Sequence, residues 1–210
     1  HVGELMVADF EDTTALDAFA RGLDLVTFEF ENVPADSVAF LAARLPTFPP
    51  VGALRTGQDR IEEKRAFQRA GLPVPEYRPA SNEREFLGAV RDLGAPLVVK
   101  TRRGGYDGKG QAVVREPRDA ERAWDELAHA CEGPDGSSGG AHGGGGLIVE
   151  RMVPWRRELS IIGVRGRDGA VGFYPLTQNH HARGILRTSL APAPGVDDAT
   201  QRRAQDHLRT

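Results

Sequence analysis

The glycine-rich segment 101–111 has the composition of an anion-binding loop. Its four glycines allow successive backbone N–H groups to approach an anion closely. Lys109 adds a mobile positive charge within the segment. The segment therefore predicts a phosphate ligand. A plain β-hairpin turn with exposed charges is the alternative interpretation, and the segment alone leaves both open.

The segment differs from two common nucleotide-binding motifs. Lys109 is followed by Gly110 rather than by Ser or Thr, and a predicted strand follows instead of a helix, which excludes a Walker loop. There is no GxGxxG pattern in the segment, so it does not indicate a dinucleotide fold. Lys100 favours the phosphate interpretation because it ends an apolar strand, where its ammonium needs solvent, a carboxylate or a phosphate.

Two carboxylates further along the chain could complete a nucleotide site. Glu150 ends one predicted strand and Glu158 begins the next. The residues between them can offer backbone groups to the edge of an adenine, while Glu158 can accept hydrogen bonds from ribose hydroxyls. Each carboxylate taken singly is typical of an exposed surface residue. Their combination with Lys100 and the glycine-rich segment is what indicates a site.

Hydrophobic periodicity predicts the elements that position these residues. Around the glycine-rich segment it predicts two strands and two helices, and later segments are β-rich before a final helix begins near Asp197. Residues 131–146 are dominated by Gly and Ser and predict a flexible loop. The predicted strands and helices are, in chain order, helix 83–93, strand 97–101, strand 111–115, helix 118–130, and strands 147–150, 159–164 and 170–175.

The N-terminal part reads as an α/β domain that we expect to be incomplete. Strands are predicted at 5–8 and 23–30, and helices at 13–21, 35–45 and 58–70. Three prolines at 46, 49 and 50 indicate a boundary between domains. We therefore predict an N-terminal domain over residues 1–53 and a second domain over residues 54–210.

Composition limits the class of protein. With 210 residues, 40% hydrophobic and 27% charged, and a net charge of -3, the chain reads as a soluble globular protein with no basic field for nucleic acid. No apolar run approaches the ~20 residues of a membrane span. The single cysteine, Cys131, excludes an intrachain disulfide and favours the cytoplasm. Small polar ligands are the expected partners.

In combination, these residues resemble the ATP-grasp superfamily, and within it the carboxyaminoimidazole ribonucleotide synthase family. The resemblance implies an α/β (α+β) fold: a partial ATP-grasp fold preceded by the C-terminal part of a Rossmann-like pre-ATP-grasp domain. We expect the chain to be truncated at both ends. The segments that carry the resemblance are 26–34, 58–64, 98–111, 150–160, 173–180 and 184–192.

The resemblance also implies roles for individual residues. Catalytic roles are implied for Glu31, Tyr106, Asp107 and Lys109, and Asp107 could orient an exocyclic amine or accept its proton. No metal ligand is implied within the chain; Mg²⁺ ligands are expected beyond Thr210, and the chain alone is expected to be inactive. The implied ATP contacts are Arg60, Lys100, Gly105, Tyr106, Asp107, Gly108, Lys109, Gly110, Gln111, Glu150, Arg151, Met152, Val153, Glu158 and His181.

The activity that the resemblance implies is an ATP-dependent carboxylation in de novo purine biosynthesis. Its substrates are ATP, bicarbonate and 5-aminoimidazole ribonucleotide, its intermediate is carboxyphosphate, and the complete enzyme is implied to be a cytoplasmic homodimer. Two alternatives remain open: another ATP-grasp ligase joining a carboxylate to an amine, and a nucleotide-binding module without catalysis. Without the resemblance, Arg60 reads as an exposed helical charge and His180 with His181 as a polar turn pair, to which we assign no metal.

Overall fold

A computed structural model of the chain describes residues 3–105, 110–128, 145–182 and 184–209. It divides into two compact units, His1–Ala66 and Phe67–Thr210. The predictions for Tyr106, Asp107, Gly108 and Lys109, and for most of the loop 131–146, lie outside the described residues. Within the described ranges, no helix is long and apolar enough to cross a membrane.

The first unit is a small α/β assembly. It contains α1 (Thr13–Ala20), β1 (Val26–Thr27), α2 (Ala35–Ala42), β2 (Thr47–Phe48) and α3 (Val51–Gly57), while α4 (Arg60–Arg69) crosses the boundary between the units. The strands β1 and β2 pair in parallel. The unit has a core whose buried residues are Val33, Val38 and Leu54, with Phe28, Ala35 and Val51 packed against it.

Two strand predictions for the first unit need correction, although the helices predicted at 13–21 and 35–45 are confirmed. The strand predicted at 5–8 is wrong, because these residues have no regular secondary structure and Leu5 and Val7 are exposed. The strand predicted at 23–30 is confined to β1. An apolar run becomes a strand only where a neighbouring strand accepts its backbone hydrogen bonds, and β1 pairs with just two residues of β2.

The second unit is built around a four-stranded antiparallel sheet. Its strands are β3 (Tyr77–Ala80), β4 (Leu97–Thr101), β5 (Gln111–Val114) and β6 (Leu147–Arg151), in the order β3-β6-β4-β5. The helices α5 (Glu83–Leu93) and α6 (Ala120–Leu127) cover one face, and a 3-10 turn at Pro117–Asp119 precedes α6. The strands predicted at 97–101 and 111–115 and the helix predicted at 83–93 are confirmed, although β3 was missed.

Helix α5 shows why the core lies on one side of this sheet. Its buried positions are Phe86, Ala89, Val90 and Leu93, a spacing that puts all four on one helical face. Asn82 caps the N-terminus by accepting a hydrogen bond from the Glu85 N–H at 3.0 Å. At the other end, Gly94 adopts φ 70°, a left-handed value that favours glycine.

The remaining elements form a second sheet and a hairpin. The strands β7 (Glu158–Ser160), β10 (Thr177–Ala182) and β11 (Ile185–Leu190) form an antiparallel sheet in the order β11-β10-β7. The strands β8 (Gly163–Arg165) and β9 (Val171–Phe173) form the hairpin, and α7 (Asp198–Arg209) lies against it, since Arg165 donates a hydrogen bond to the Arg209 carbonyl at 3.1 Å. The strand predicted at 159–164 is thus two strands in two different sheets.

The N-terminus of α5 provides a test of pH-dependent stability. The Glu85 carboxylate accepts a hydrogen bond from the Ser81 backbone N–H at 2.8 Å, and this bond lowers the pKa of Glu85 below its ordinary value of 4.5. We expect Glu85→Ala to lower Tm by a few degrees at pH 7, measured by circular dichroism. Because the folded pKa is the lower one, the deficit shrinks as the pH falls below 4.5 and through the folded value.

The matched control is Glu83→Ala, which removes the same charge from the same first turn of α5. Both variants lose the favourable interaction of a carboxylate with the helix N-terminus. Only Glu85→Ala loses the hydrogen bond to Ser81. Equal losses of Tm in the two variants at pH 7 would contradict the capping role of Glu85.

Candidate functional site

The four-stranded sheet has a second face, opposite the helices α5 and α6, and Lys100, the predicted phosphate-binding residue, lies on it. Along β4, Leu97 and Val99 are fully buried in the core, whereas Lys100 alternates to the other face. The strand register places Gln111 opposite Lys100, and Glu150 opposite Val98. Lys100, Gln111 and Glu150 therefore share one face of the sheet.

Lys100 and Glu150 form an ion pair across β4 and β6. The Lys100 Nζ lies 3.3 Å from the Glu150 Oε2, and the two side chains are 30% and 6% exposed respectively. The carboxylate is therefore almost out of water, while the Lys100 side chain keeps part of its surface accessible. Such a pair holds a cation at the surface of the sheet with its charge locally balanced, and a phosphate oxygen arriving from the accessible side can share it.

The two ends of the glycine-rich segment meet beside Lys100. The Thr101 N–H donates to the Gly110 carbonyl at 2.8 Å, directly after the pairing of Lys100 with Gln111. Gly110 adopts φ 73°, and a Cβ there would lie 2.8 Å from the Thr101 Oγ1, so no larger residue fits without displacement. Gly105, also an implied ATP contact, has φ 83°. The segment thus leaves and rejoins the sheet next to the ion pair.

The segment after β6, which the resemblance assigns to adenine, has its backbone partly committed. The Arg151 N–H donates to the Glu76 carbonyl at 2.9 Å, and the Met152 N–H donates to the Pro96 carbonyl at 3.1 Å. The Arg151 guanidinium donates to the Leu93 carbonyl at 2.7 Å. Within the described residues, the Val153 N–H has no hydrogen-bond partner. Among these three backbone donors, Val153 offers the one that can bind a ligand.

A second polar cluster lies on the three-stranded sheet. Asn179, opposite Glu158 in the register of β10 and β7, donates from Nδ2 to the Glu158 Oε1 at 3.2 Å. The other carboxylate oxygen, Oε2, lies 3.5 Å from the His181 Nδ1. Asn179 also donates to the Ser160 Oγ and accepts from the Ser189 Oγ at 2.9 Å. One oxygen of Glu158 is thus hydrogen-bonded and the other lies near the His181 ring, while the side chain is 44% exposed.

The position of His181 differs from the turn that the sequence alone indicated. His180 and His181 both lie within β10, so the prediction of a polar turn pair is wrong. The register between β10 and β11 shifts at this point, from His180 opposite Thr188 to His181 opposite Leu186. A shift of this kind re-aims side chains locally. The additional residue at this shift lies on β11, so His181, two residues after Asn179, shares the face of β10 that carries Asn179.

Two predicted site residues belong to the first unit. Glu31 lies beyond β1, and its backbone carbonyl accepts a hydrogen bond from the Gln58 Nε2 at 2.7 Å. Arg60 is the first residue of α4, directly after Asp59, which is 1% exposed and accepts from the Ile61 N–H at 3.1 Å. Asp59, the neighbour of Arg60 in the sequence, therefore stabilises the start of this helix.

The sequence analysis predicted no metal ligand within the chain. Among the residues that the structure describes, no group of three or more His, Cys, Asp and Glu side chains is arranged to hold a metal ion.

Comparison with known families agrees with this geometry. The model of the ATP-grasp domain matches residues 65–210, which is more than half of the chain. The chain belongs to the ATP-grasp family. A second model, the ribonucleotide synthetase preATP-grasp domain, matches residues 1–58 of this ATP-grasp chain. The predicted fold, an ATP-grasp fold preceded by a pre-ATP-grasp domain, is confirmed.

Several relatives of this ATP-grasp chain have closely similar names. The chain is 41% identical over 190 residues to N5-carboxyaminoimidazole ribonucleotide synthase of Pseudomonas aeruginosa, and the alignment covers 90% of this chain and 49% of the relative. Among solved structures, N5-carboxyaminoimidazole ribonucleotide synthetase from Thermus thermophilus is 44% identical with a TM-score of 0.83, covering 99% of this chain and 52% of that one. The enzyme from Staphylococcus aureus complexed with ADP is 27% identical with a TM-score of 0.83, covering 97% and 50%. The chain thus spans about half the length of these relatives.

Asn179, Ser160 and Ser189 were not among the predicted site residues. The signal for them is alternation, because residues two apart on a strand point to the same face. Thr177, Asn179 and His181 are polar residues at this spacing. No strand was predicted over residues 177–182, so this alternation was not recognised.

Proposed function

We propose that the ATP-grasp chain is the nucleotide-binding part of a carboxyaminoimidazole ribonucleotide synthase. The observation that carries this proposal is the Lys100–Glu150 pair, which lies beside both ends of the glycine-rich segment on the face of the sheet opposite α5 and α6. It offers a charge-balanced cation to a triphosphate. The names of the relatives support the choice of this activity among those of ATP-grasp ligases.

In the proposed site, each part of the nucleotide has its own protein group. Lys100 binds phosphate oxygens, and the phosphate-binding roles implied for Arg60 and for residues 105–111 stay predictions. The free Val153 N–H donates to the adenine edge, and Glu158, whose Oε2 lies 3.5 Å from the His181 Nδ1, accepts the ribose hydroxyls. The ADP bound to the Staphylococcus aureus relative supports this assignment.

The proposed reaction proceeds in two transfers. An oxygen of bicarbonate attacks the γ-phosphorus of ATP, the bond to the bridging oxygen breaks, and carboxyphosphate and ADP form. The amine nitrogen of 5-aminoimidazole ribonucleotide then attacks the carboxyl carbon, phosphate leaves with the electron pair, and the nitrogen loses a proton. Asp107 is proposed to take that proton, with Glu31, Tyr106 and Lys109 positioning the substrates. Mg²⁺, when bound, would neutralise charge on the phosphates.

The proposal is tested on the full-length protein, expressed from the complete reading frame that contains this chain. We expect ADP release from MgATP to require both bicarbonate and 5-aminoimidazole ribonucleotide. Release that is indifferent to the imidazole substrate would replace the proposal by another ATP-grasp ligase. A protein that binds ADP tightly but forms no ADP from MgATP would be a nucleotide-binding module without catalysis. The homodimer and the cytoplasmic location remain predictions.

A further inference from the structure

We propose that Asn179 is a positioning residue that holds the Glu158 carboxylate in the orientation in which it recognises the ribose of the nucleotide. This inference rests on the proposed function, which assigns Glu158 to the ribose hydroxyls. It adds a residue that does not itself contact the nucleotide but sets the specificity of the one that does.

Asn179 lies on β10, the central strand of the three-stranded sheet. Asn179 is opposite Glu158, and Thr177 is opposite Ser160, so the Asn179 amide lies over both side chains of β7. Its Nδ2 donates to the Glu158 Oε1 at 3.2 Å and also to the Ser160 Oγ. Both N–H donors of the amide can therefore be directed towards β7, and one of them fixes the carboxylate.

The Asn179 amide has one favoured orientation. The Ser189 Oγ donates to the Asn179 Oδ1 at 2.9 Å from the other neighbouring strand. A flipped amide would direct its oxygen at the Glu158 carboxylate, which accepts hydrogen bonds and donates none when ionised. The acceptor-only carboxylate therefore sets the amide orientation, and the Ser189 hydroxyl holds the amide in place from β11 by donating to its oxygen.

The Glu158 carboxylate keeps acceptor sites that a ligand can use. Its Oε2 lies 3.5 Å from the His181 Nδ1, so each oxygen has one protein neighbour in this cluster. An ionised carboxylate has about four acceptor sites. With the side chain 44% exposed, the remaining sites face solvent and can accept the two vicinal hydroxyls of a ribose. A fixed carboxylate discriminates between ligands with and without hydroxyls better than one that rotates, because less ordering entropy is lost on binding.

The test compares ADP with 2′,3′-dideoxy-ADP, which lacks both hydroxyls, by calorimetric titration of the full-length protein. We expect the wild type to prefer ADP. In Asn179→Ala the Kd for ADP should rise about tenfold, as expected for a weakened hydrogen bond to a charged group. The Kd for the dideoxy ligand should stay within about twofold, because that ligand makes no contact with Glu158. A merely structural role would weaken both ligands together.

Three further variants complete the design. Ser189→Ala keeps the Asn179 side chain but releases its amide, and should reduce the preference for ADP by about threefold. Glu158→Gln should reduce the preference at least as much as Asn179→Ala. His180→Ala, on the opposite face of β10, is the matched control and should leave the preference for ADP unchanged. If Asn179→Ala does not fold, Ser189→Ala decides.

The outcomes separate the inference from the proposed function. A preference for ADP that survives in both Asn179→Ala and Ser189→Ala overturns the positioning role while the nucleotide site stands. Equal losses of affinity for the two ligands overturn it as well. A wild-type protein that binds no ADP, or binds both ligands equally, removes the ribose assignment and with it the role of Asn179.

Discussion

Lys100→Met should lower the affinity of the full-length protein for ATP by about a hundredfold, because charge-assisted hydrogen bonds to phosphate contribute about 1.5–3 kcal/mol each. Methionine keeps most of the length of the side chain but removes the ammonium that lies 3.3 Å from the Glu150 Oε2. Calorimetric titration with ATP measures the loss. The matched control is Arg122→Met, which removes an exposed positive charge from α6, on the other side of the sheet.

Breaking the Lys100–Glu150 pair should also lower the stability of the fold, and the size of the loss should depend on which partner is replaced. Lys100→Met leaves a carboxylate that is 6% exposed without its ammonium, and should cost about 1–3 kcal/mol in the free energy of unfolding, measured with urea. Glu150→Gln should cost less, because Lys100 is 30% exposed and can turn its ammonium to water. An ATP affinity in Lys100→Met that matches the Arg122→Met control would exclude Lys100 as a phosphate ligand.

Gly146→Ala should destabilise the protein by about 2–4 kcal/mol, since it combines backbone strain with steric overlap. Gly146 adopts φ 83°, and an added Cβ would lie 2.6 Å from the Ala80 carbonyl oxygen, which is part of the backbone and cannot rotate away. The Gly146 carbonyl accepts a hydrogen bond from the Arg102 N–H at 2.9 Å, so the strain also reaches the end of β4. Urea unfolding of the full-length variant measures the effect.

The control for this prediction is Gly94→Ala. Gly94 has φ 70°, but an added Cβ there meets no atom within 4 Å, so this variant has the strain without the overlap. We expect it to cost about 1–2 kcal/mol. The difference between the two variants isolates the contact with Ala80. If the losses are equal, the approach of Gly146 to Ala80 does not limit the residue type at this position.

Local patterns in the sequence predicted those elements whose stability is encoded locally. Helix α5 has a capping Asn82, four apolar residues on one face and a terminal Gly94, and its predicted bounds are confirmed. Strand β4 was predicted from its apolar run and is confirmed from Leu97 to Thr101. In both cases the burial pattern in the structure repeats the periodicity of the sequence.

Features that depend on distant pairing could not be predicted in this way. Lys100 and Glu150 are 50 residues apart in the chain, and only the register between β4 and β6 brings them together. The sequence analysis placed one at the phosphates and the other near adenine, without an ion pair. Polar strands are the second limit: β10 has little apolar alternation, so neither its existence nor the role of Asn179 followed from hydrophobicity.

The pleat of β4 has a consequence for how this scaffold can evolve. Leu97 and Val99 point into the core, whereas Lys100 lies on the face that we propose binds the nucleotide. Packing in the core therefore constrains Leu97 and Val99, whereas Lys100 is constrained by its ion pair with Glu150 and by the proposed ligand. Substitutions at the ligand-facing positions can accumulate without repacking the core. A lineage could in this way acquire a different ligand preference while its descendants keep the same fold.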